Sequence, residues 1–242
     1  MRVYSGSDIG LRRDSNQDYC KTGIFESGAA WAVVCDGMGG ANGGCTASSM
    51  AAETIAGILT EKYSAEMTSE QVRELMEQAV AAANGRVYTA ACEDPSLRGM
   101  GTTVVVAIAV NGVIHIVHAG DSRAYLFEKD RIRRITTDHS IVQELVDAGQ
   151  LTEEEAMNHP HRNIITRALG VEEGLLTDYN SLPFGEGAML VICTDGLSGY
   201  FNDGDLCELI RSNSGEELVG QLIDAAKKLG GSDNITVAVI AA

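Results

Sequence analysis

Aspartates that follow short apolar runs are the residues of this sequence best suited to chemistry. Asp36 directly follows the run Trp31–Cys35, and Asp195 follows the run Met189–Thr194. Each is followed by a glycine, which lets the backbone approach a ligand closely. Side chains at the ends of buried strands can converge on one edge of a sheet. The spacing indicates a shared polar site, although a lone Asp-Gly pair is more often simply a turn.

Three further aspartates extend this pattern. Asp121 ends an apolar run, Asp233 precedes the last apolar run, and Asp18 stands near the amino terminus. Two carboxylates about 4 Å apart repel by about 4 kcal/mol at an effective dielectric of about 20. Divalent cations would offset that repulsion, and an all-oxygen site favours magnesium or manganese over zinc. The aspartates therefore predict a site for hard cations.

Paired hard cations suit phosphoryl transfer. They clamp the attacking and leaving oxygens and lower the pKa of a water molecule. Such a site also needs an anion clamp, and Arg13, five residues before Asp18, could supply a guanidinium fork for phosphate oxygens. Taken alone, Arg13 is more typical of a solvated surface arginine. It is a candidate for phosphate binding because it stands close to Asp18 in the sequence.

Short buried strands and amphipathic helices must position these residues. The predicted strands are Trp31–Cys35, Thr103–Ala109, Val113–His118, Ala124–Phe127, Ala188–Cys193 and Ile235–Ile240. The predicted helices are Cys45–Thr60, Ser69–Ala91 and Gly215–Leu229. An Asn111-Gly112 turn between two strands predicts an antiparallel hairpin, which disfavours a purely parallel sheet. Residues Asp138–Gly170 read as a mobile insertion with two short helices, Ser140–Ala148 and Glu153–Met157.

Length and composition bound the class of protein. The chain has 242 residues, with no linker-like tract, and we expect one domain over residues 1–242. Its formal charge of -16 disfavours nucleic acid and anionic membranes as partners. Six cysteines without Cys-x-x-Cys spacing predict neither disulfides nor zinc.

The start of the chain and its apolar runs bear on location. Met1–Gly10 shows neither a basic leader nor an apolar segment typical of a secretory signal. The run Val104–Val110 is far shorter than the roughly 20 residues that span a bilayer. We expect a cytoplasmic protein that does not bind membranes.

Eight short motifs follow one another along the chain. They are Ser7-Asp8-Ile9-Gly10 with Arg13 and Asn16-Gln17-Asp18; Val34-Cys35-Asp36-Gly37-Met38-Gly39-Gly40; Gly101-Thr102-Thr103; His118-Ala119-Gly120-Asp121-Ser122-Arg123; Thr137-Asp138-His139-Ser140; Ile165-Thr166-Arg167-Ala168-Leu169-Gly170; Cys193-Thr194-Asp195-Gly196-Leu197; and Ser232-Asp233-Asn234-Ile235-Thr236. In this order they resemble the motifs of the type 2C metal-dependent protein serine/threonine phosphatases in their minimal bacterial form. One such motif is weak evidence, but eight in family order are specific.

The resemblance implies an α+β fold and a role for each motif residue. The fold would be a four-layer α/β/β/α sandwich of two mainly antiparallel sheets flanked by helices, with a flap at about residues 143–166. Two Mn²⁺ or Mg²⁺ ions, with a weaker third, would bind at one end of the sheets. By the resemblance, Asp36 would bridge two metal ions, the Gly37 carbonyl would bind one of them, and Asp195 and Asp233 would bind the other. Asp18 would hold a metal-bound water, and Asp121 would bind the third metal together with Asp195. Arg13 would bind the phosphate.

The resemblance also implies the reaction and its partners. A metal-bridging hydroxide would hydrolyse phosphoserine and phosphothreonine in proteins without a phosphoenzyme. The expected partners are phosphorylated proteins, including a bacterial serine/threonine kinase that the enzyme counteracts, and we expect a monomer. Two alternatives stay open. One is a hydrolase of small phosphorylated metabolites, and the other is a catalytically silent regulatory module on the same fold.

Two departures from the family pattern affect the expected general acid and the expected affinity for metal. Met38 stands where some relatives have a histidine proposed as general acid, and Gln17 stands where eukaryotic relatives have glutamate. The remaining candidates for proton transfer are His139, His159 and His161, since histidine titrates near neutral pH. We favour structural roles for all three, with His139 as a cap for the helix that follows it.

Overall fold

The computed structural model describes residues 1–242, apart from the side chains of residues 41 and 42. The strands are β1 (Arg2–Asp8), β2 (Asp18–Ile24), β3 (Ala30–Met38), β4 (Gly101–Thr102), β5 (Val104–Val110), β6 (Val113–Ala119), β7 (Arg123–Glu128), β8 (Arg131–Arg134), β9 (Asp178–Pro183), β10 (Met189–Cys193) and β11 (Ile235–Ala241). The helices are α1 (Gly40–Lys62), α2 (Ser69–Glu93), α3 (Ile141–Asp147), α4 (Glu153–Met157), α5 (Asp195–Ser198), α6 (Asp203–Ser212) and α7 (Gly215–Lys228).

The strands form two antiparallel sheets. One has the order β1-β11-β10-β7-β8, and the other has the order β2-β3-β5-β6-β9, with β4 paired to β3. The predicted hairpin joins β5 to β6, and Asn111 and Gly112 both have positive φ, at 50° and 74°. A two-residue turn of this kind needs positive φ at both positions, so the Asn-Gly signal is explained.

Side chains of the central strands point alternately to the two faces of their sheet, and both faces are covered by other layers of the fold. Trp31 and Val33 of β3 pack toward α1 and α2, whereas Ala32 and Val34 pack between the two sheets. Successive side chains of a strand point to opposite faces, so an unbroken apolar run fits a strand covered on both sides. Apolar residues of α5, α6 and α7 cover the outer face of the other sheet. The predicted four-layer α/β/β/α sandwich is confirmed.

The sequence analysis missed the edges of the sheets. It did not predict β1, β2, β8 or β9, which are the four edge strands, nor the helix α6. Edge strands carry many half-exposed polar residues, as in Asp178–Pro183, so their apolar signal is weak. It also began α1 too late, because the glycine-rich start of this helix has low helix propensity.

The insertion at residues 138–170 contains the two short helices expected there. Ser140 caps α3 by accepting a hydrogen bond from the N–H of Gln143, so the expectation that His139 caps this helix is wrong. Thr152 and Glu155 form the capping box that begins α4. Among the residues that the structure describes, no helix combines the length and apolarity needed to cross a bilayer.

Candidate metal centre

The five predicted aspartates stand at strand ends that meet at one end of the two sheets. In an antiparallel pair, the end of one strand lies beside the start of its neighbour. Asp18 begins β2 and faces Asp36 near the end of β3. Asp121 follows β6, Asp195 follows β10, and Asp233 lies two residues before β11. Asp121, Asp195 and Asp233 also line one cavity. The structure thus brings together all five.

A buried hydrogen bond joins the two sheets at this end. The hydroxyl of Thr194, directly after β10, donates to Asp18 Oδ2 at 2.8 Å. The same hydroxyl oxygen accepts the N–H of Thr236 at 3.0 Å. Asp18 is only 6% exposed, and its Oδ1 has no hydrogen-bond partner among the described residues. A buried carboxylate oxygen is costly without a partner, so this atom is suited to a water molecule or a cation.

Burial, together with repulsion between the carboxylates, disfavours the charged forms of the aspartates in this cluster. Burial, followed by the charges of Asp18 and Asp195, raises the pKa of Asp36 well above its usual value. Burial raises the pKa of Asp18 to about 7, while hydrogen bonds from Thr236 and Thr194 oppose that rise. Burial and Asp233 raise the pKa of Asp195 to about 6. In each case the protein disfavours the anion, which is the condition that bound cations would relieve.

Asp121 belongs to the same electrostatic group. Burial, then the charge of Asp195, raises its pKa to about 8, while nearby Arg123 opposes the rise. Arg123 itself is tied to Asp138, with its Nη2 donating to Asp138 Oδ2 at 2.7 Å. That pair leaves Asp121 with little compensation from the guanidinium.

Arg13 lies at the rim of the cluster. Its Nη2 donates to Asp233 Oδ2 at 2.7 Å, and the Arg13 side chain is 51% exposed. This hydrogen bond raises the pKa of Arg13 above its usual value. The predicted phosphate-binding arginine is therefore held against one of the predicted metal ligands, with about half of its side chain open to solvent.

Asn234 holds the loop that carries Arg13, a role that the sequence analysis missed. Its Oδ1 accepts the N–H of Gln17 at 2.8 Å. Its Nδ2 donates to the carbonyl oxygens of Ile9 at 2.9 Å and Ser15 at 3.0 Å. Asn234 is 4% exposed, so these bonds form away from water. The only sequence signal was its position beside Asp233.

Two glycines allow the close approaches that the cluster needs. A β-carbon at Gly37 would lie 2.6 Å from the carbonyl oxygen of Gln17 and would also clash with the carbonyl of Gly44. A β-carbon at Gly196 would overlap the carbonyl oxygen of Asn234. Neither position has room for a side chain. Glycine at both positions therefore allows the close backbone contacts beside Asp36 and Asp195.

A cavity of about 720 Å³ opens beside the aspartates. Residues 142–163 form one wall, and residues 198–204, around the start of α6, form another. The predicted flap, residues 143–166, contributes Gln143, Glu153, Met157 and Arg162 to the lining. The cavity is thus bounded on one side by the segment that the resemblance implies should lie next to the site.

Three other groups also lie within the spacing that one cation requires. Ligand atoms of His118, His139 and Asp178 lie within 4.8 Å of one another. However, the N–H of Gly120 donates to His139 Nδ1 at 3.1 Å, so the proton of the neutral ring stays on Nε2. Arg167 Nη1 lies 2.9 Å from Asp178 Oδ1 and already supplies a positive charge. We interpret this trio as a hydrogen-bonded support for the loop at Gly120 rather than as a cation site.

Comparison with known proteins identifies the family of this chain. The family model for protein phosphatase 2C matches residues 11–226. The chain is 36% identical to a serine/threonine phosphatase stp of Listeria innocua, over 99% of this chain and 95% of that protein. A Streptococcus agalactiae serine/threonine phosphatase structure superposes with a TM-score of 0.92 at 33% identity, covering 100% of this chain and 99% of that one.

A further related structure contains metal. The catalytic domain of the serine threonine protein phosphatase PstP, in complex with two manganese ions, superposes with a TM-score of 0.86 at 31% identity, over 98% of this chain and 96% of that one. The predicted family and enzyme class are confirmed: the chain belongs to the protein phosphatase 2C family and is a protein phosphatase.

Proposed function

We propose that this protein phosphatase hydrolyses phosphoserine and phosphothreonine in other proteins with the help of divalent cations held by the aspartate cluster. The observation that carries the proposal is the convergence of five aspartates at one end of the sheets, four of them with pKa values raised by burial. Carboxylates gathered in this way fit hard divalent ions.

The residues fit two manganese or magnesium ions, with a weaker third. The donor set consists of oxygen atoms, and the unpartnered Asp18 Oδ1 suits a water molecule of a cation's shell. The ligands we assign are Asp36 as the bridge, the Gly37 carbonyl, Asp195 and Asp233, with Asp18 acting through water and Asp121 joining Asp195 at the third position. Manganese in the related PstP structure supports this choice of metal.

Arg13 would bind the phosphate of the substrate. A guanidinium has five N–H donors, and the pair with Asp233 Oδ2 uses one of them. The remaining donors can hold two phosphate oxygens while Asp233 keeps the side chain in position. Divalent cations bound at the aspartates would supply charge neutralisation and a water molecule of lowered pKa. Arg13 would hold the phosphate oxygens in place and offset the negative charge that builds on the phosphate.

Metal titration against a defined substrate tests the proposal. The purified, metal-free chain should be inactive on a phosphothreonine peptide, gain activity with manganese, and lose it again in EDTA. A sugar phosphate offered at the same concentration should be hydrolysed much more slowly. Full activity in EDTA would refute the metal assignment, and faster hydrolysis of the sugar phosphate would favour the small-molecule alternative.

The finer biological predictions belong to the same proposal. We propose that the natural substrates include a serine/threonine kinase and its targets, and that the enzyme acts as a monomer. Helices cover the outer face of each sheet, which supports the monomer. Dephosphorylation of an autophosphorylated kinase domain, followed by mass spectrometry, tests the first point, and analytical ultracentrifugation tests the second. The cytoplasmic location stays a prediction.

A further inference from the structure

The cavity beside the aspartates contains an unusual concentration of arginines. Arg123, Arg133, Arg134 and Arg162 all line it. Arg133 and Arg134 come from the edge strand β8, whereas Arg162 comes from the opposite wall, in the flap (residues 143–166). The positive charges therefore face the cavity from two separate segments.

Most of this positive charge is not already neutralised. Arg123 is paired with Asp138, but the ion pairs of the described residues include neither Arg133 nor Arg162, and both side chains are exposed. Arg134 donates to the uncharged Gln143 Oε1 at 3.1 Å, which fixes its guanidinium against α3. Three arginine charges thus remain available.

The carboxylates of the cavity offset these charges only in part once cations are bound. Asp121, Asp195 and Asp233 are the proposed cation ligands, and Asp138 is paired with Arg123, which leaves Glu153 and Asp203 as the unpaired acids of the lining. Three unpaired arginines then face two unpaired acids, whereas the whole chain has 34 acidic and 18 basic residues. A local excess of positive charge in a strongly acidic protein attracts anions to one place while the remaining surface repels them.

We propose that this cavity binds the substrate chain next to the phosphoresidue, and that Arg133, Arg134 and Arg162 select substrates with a further anionic side chain there. The inference rests on the proposed function, because the phosphoresidue must occupy the aspartate end of the same cavity. Exposed charge pairs contribute modestly, so the effect is one of preference among substrates rather than of absolute requirement.

The anionic group could be a carboxylate or a second phosphate, since a guanidinium fork binds either. A set of phosphothreonine peptides distinguishes these sources. The first peptide has neutral residues on both sides of the phosphothreonine. Two others have three glutamates, one on the amino-terminal side and the other on the carboxyl-terminal side. A fourth has a phosphoserine in place of one glutamate, and a fifth has lysines in place of the glutamates. The wild-type enzyme, loaded with manganese, should show a kcat/KM for one of the acidic peptides roughly three- to tenfold above that for the neutral peptide.

Charge variants test whether the cavity is the cause. In Arg133→Gln/Arg162→Gln the preference should disappear, while hydrolysis of p-nitrophenyl phosphate, which has no flanking residues, stays unchanged. Arg2→Gln/Lys62→Gln removes the same charge from two exposed residues outside the cavity and should keep the preference. Raising the salt concentration should reduce the preference in the wild-type enzyme.

Each other outcome is decisive. Equal kcat/KM values for neutral and acidic peptides overturn the inference, as does a preference that survives in the cavity variant or vanishes in the control. A preference for the phosphoserine peptide alone identifies a second phosphate as the group selected. If the wild-type protein with manganese does not hydrolyse p-nitrophenyl phosphate, the proposed function itself is refuted, and not only this inference.

Discussion

Arg13 and Asp233, 220 residues apart in the sequence, form a 2.7 Å hydrogen bond at the rim of the aspartate cluster. The contact brings the one arginine of the first motif to the last motif of the chain. It also places a positive charge beside Asp195 and Asp36, both of which act on the Arg13 guanidinium. The proposed phosphate-binding arginine and the proposed cation ligands therefore interact electrostatically.

Arg13→Lys should weaken substrate binding more than it changes the fold. Lysine keeps the charge but lacks the planar fork, and hydrogen bonds to charged groups contribute about 1.5–3 kcal/mol, so kcat/KM should fall roughly tenfold to a hundredfold. Steady-state kinetics on a phosphothreonine peptide measure this. Arg12→Lys, at the exposed neighbouring position, is the matched control. Unchanged kcat/KM for Arg13→Lys would remove Arg13 from phosphate binding.

Asp36→Asn and Asp195→Asn should separate activity from stability. Loss of a cation ligand should reduce kcat by roughly a hundredfold or more. In the absence of metal, however, both variants should be at least as stable as the wild type, because removing one charge relieves repulsion among the carboxylates. Calorimetry in EDTA measures the melting temperature, with Asp224→Asn on the exposed face of α7 as the control. Strong destabilisation of both variants would contradict the repulsive cluster.

Asn234→Ala should destabilise the loop that carries Arg13, the proposed phosphate-binding residue. The change leaves the N–H of Gln17 and the carbonyls of Ile9 and Ser15 without partners, and each buried unsatisfied group costs about 1–3 kcal/mol. We expect a lower free energy of urea unfolding together with a raised KM. Asn213→Ala, which removes a hydrogen bond from a surface cap, should have a much smaller effect on both.

The ion pair between Asp8 and Lys227 should make stability depend on acid pH. The hydrogen bond from Lys227, at 2.7 Å, is the main cause that lowers the pKa of Asp8. A carboxyl group with a lowered pKa in the folded state stabilises the protein above its unfolded pKa, about 3.9, and this contribution is lost as the pH falls through the folded pKa. Asp8→Asn should therefore cost about 1 kcal/mol or less at pH 7 and nothing near pH 2. Urea unfolding at both values measures it, and a constant difference would contradict the pair.

Thiol reagents should leave the phosphatase active. Burial raises the pKa of Cys193 to about 12 and raises that of Cys35 further, so neither forms the reactive thiolate. N-ethylmaleimide should modify exposed Cys92 first, as peptide mass spectrometry would show, with little loss of activity. Inactivation in step with modification of Cys35 or Cys193 would contradict this expectation.

The sequence predicted that the aspartates converge, because the signal for this was local. Asp36 and Asp195 each follow an apolar run and precede a glycine, and antiparallel pairing then brings such strand ends together. It failed where a role depends on a partner far along the chain. Nothing near Thr194 indicates that its hydroxyl binds Asp18, and nothing near Asn234 indicates that its amide holds the loop at Ser15.

The same limit explains the missed edge strands and the wrong role for His139. A strand with one free edge alternates between half-buried and exposed residues, as β1 does, so its composition resembles that of a loop. His139 precedes a helix, which favoured a capping role from the sequence alone. In the fold it is buried, and its Nδ1 accepts the N–H of Gly120. His139 supports the loop at Gly120 rather than capping the helix, because residues distant in the sequence bury it.

The position of β11 between β1 and β10 has a kinetic consequence. The first strand of the chain finds its partner only in the last, so this pairing must close a very long loop, which is entropically slow. Asn234 stands just before β11 and anchors the loop that carries Arg13, and Asp233 is its neighbour. Catalytic competence should consequently appear in the final phase of refolding, after most helical structure has formed, and partly folded chains should not release phosphate.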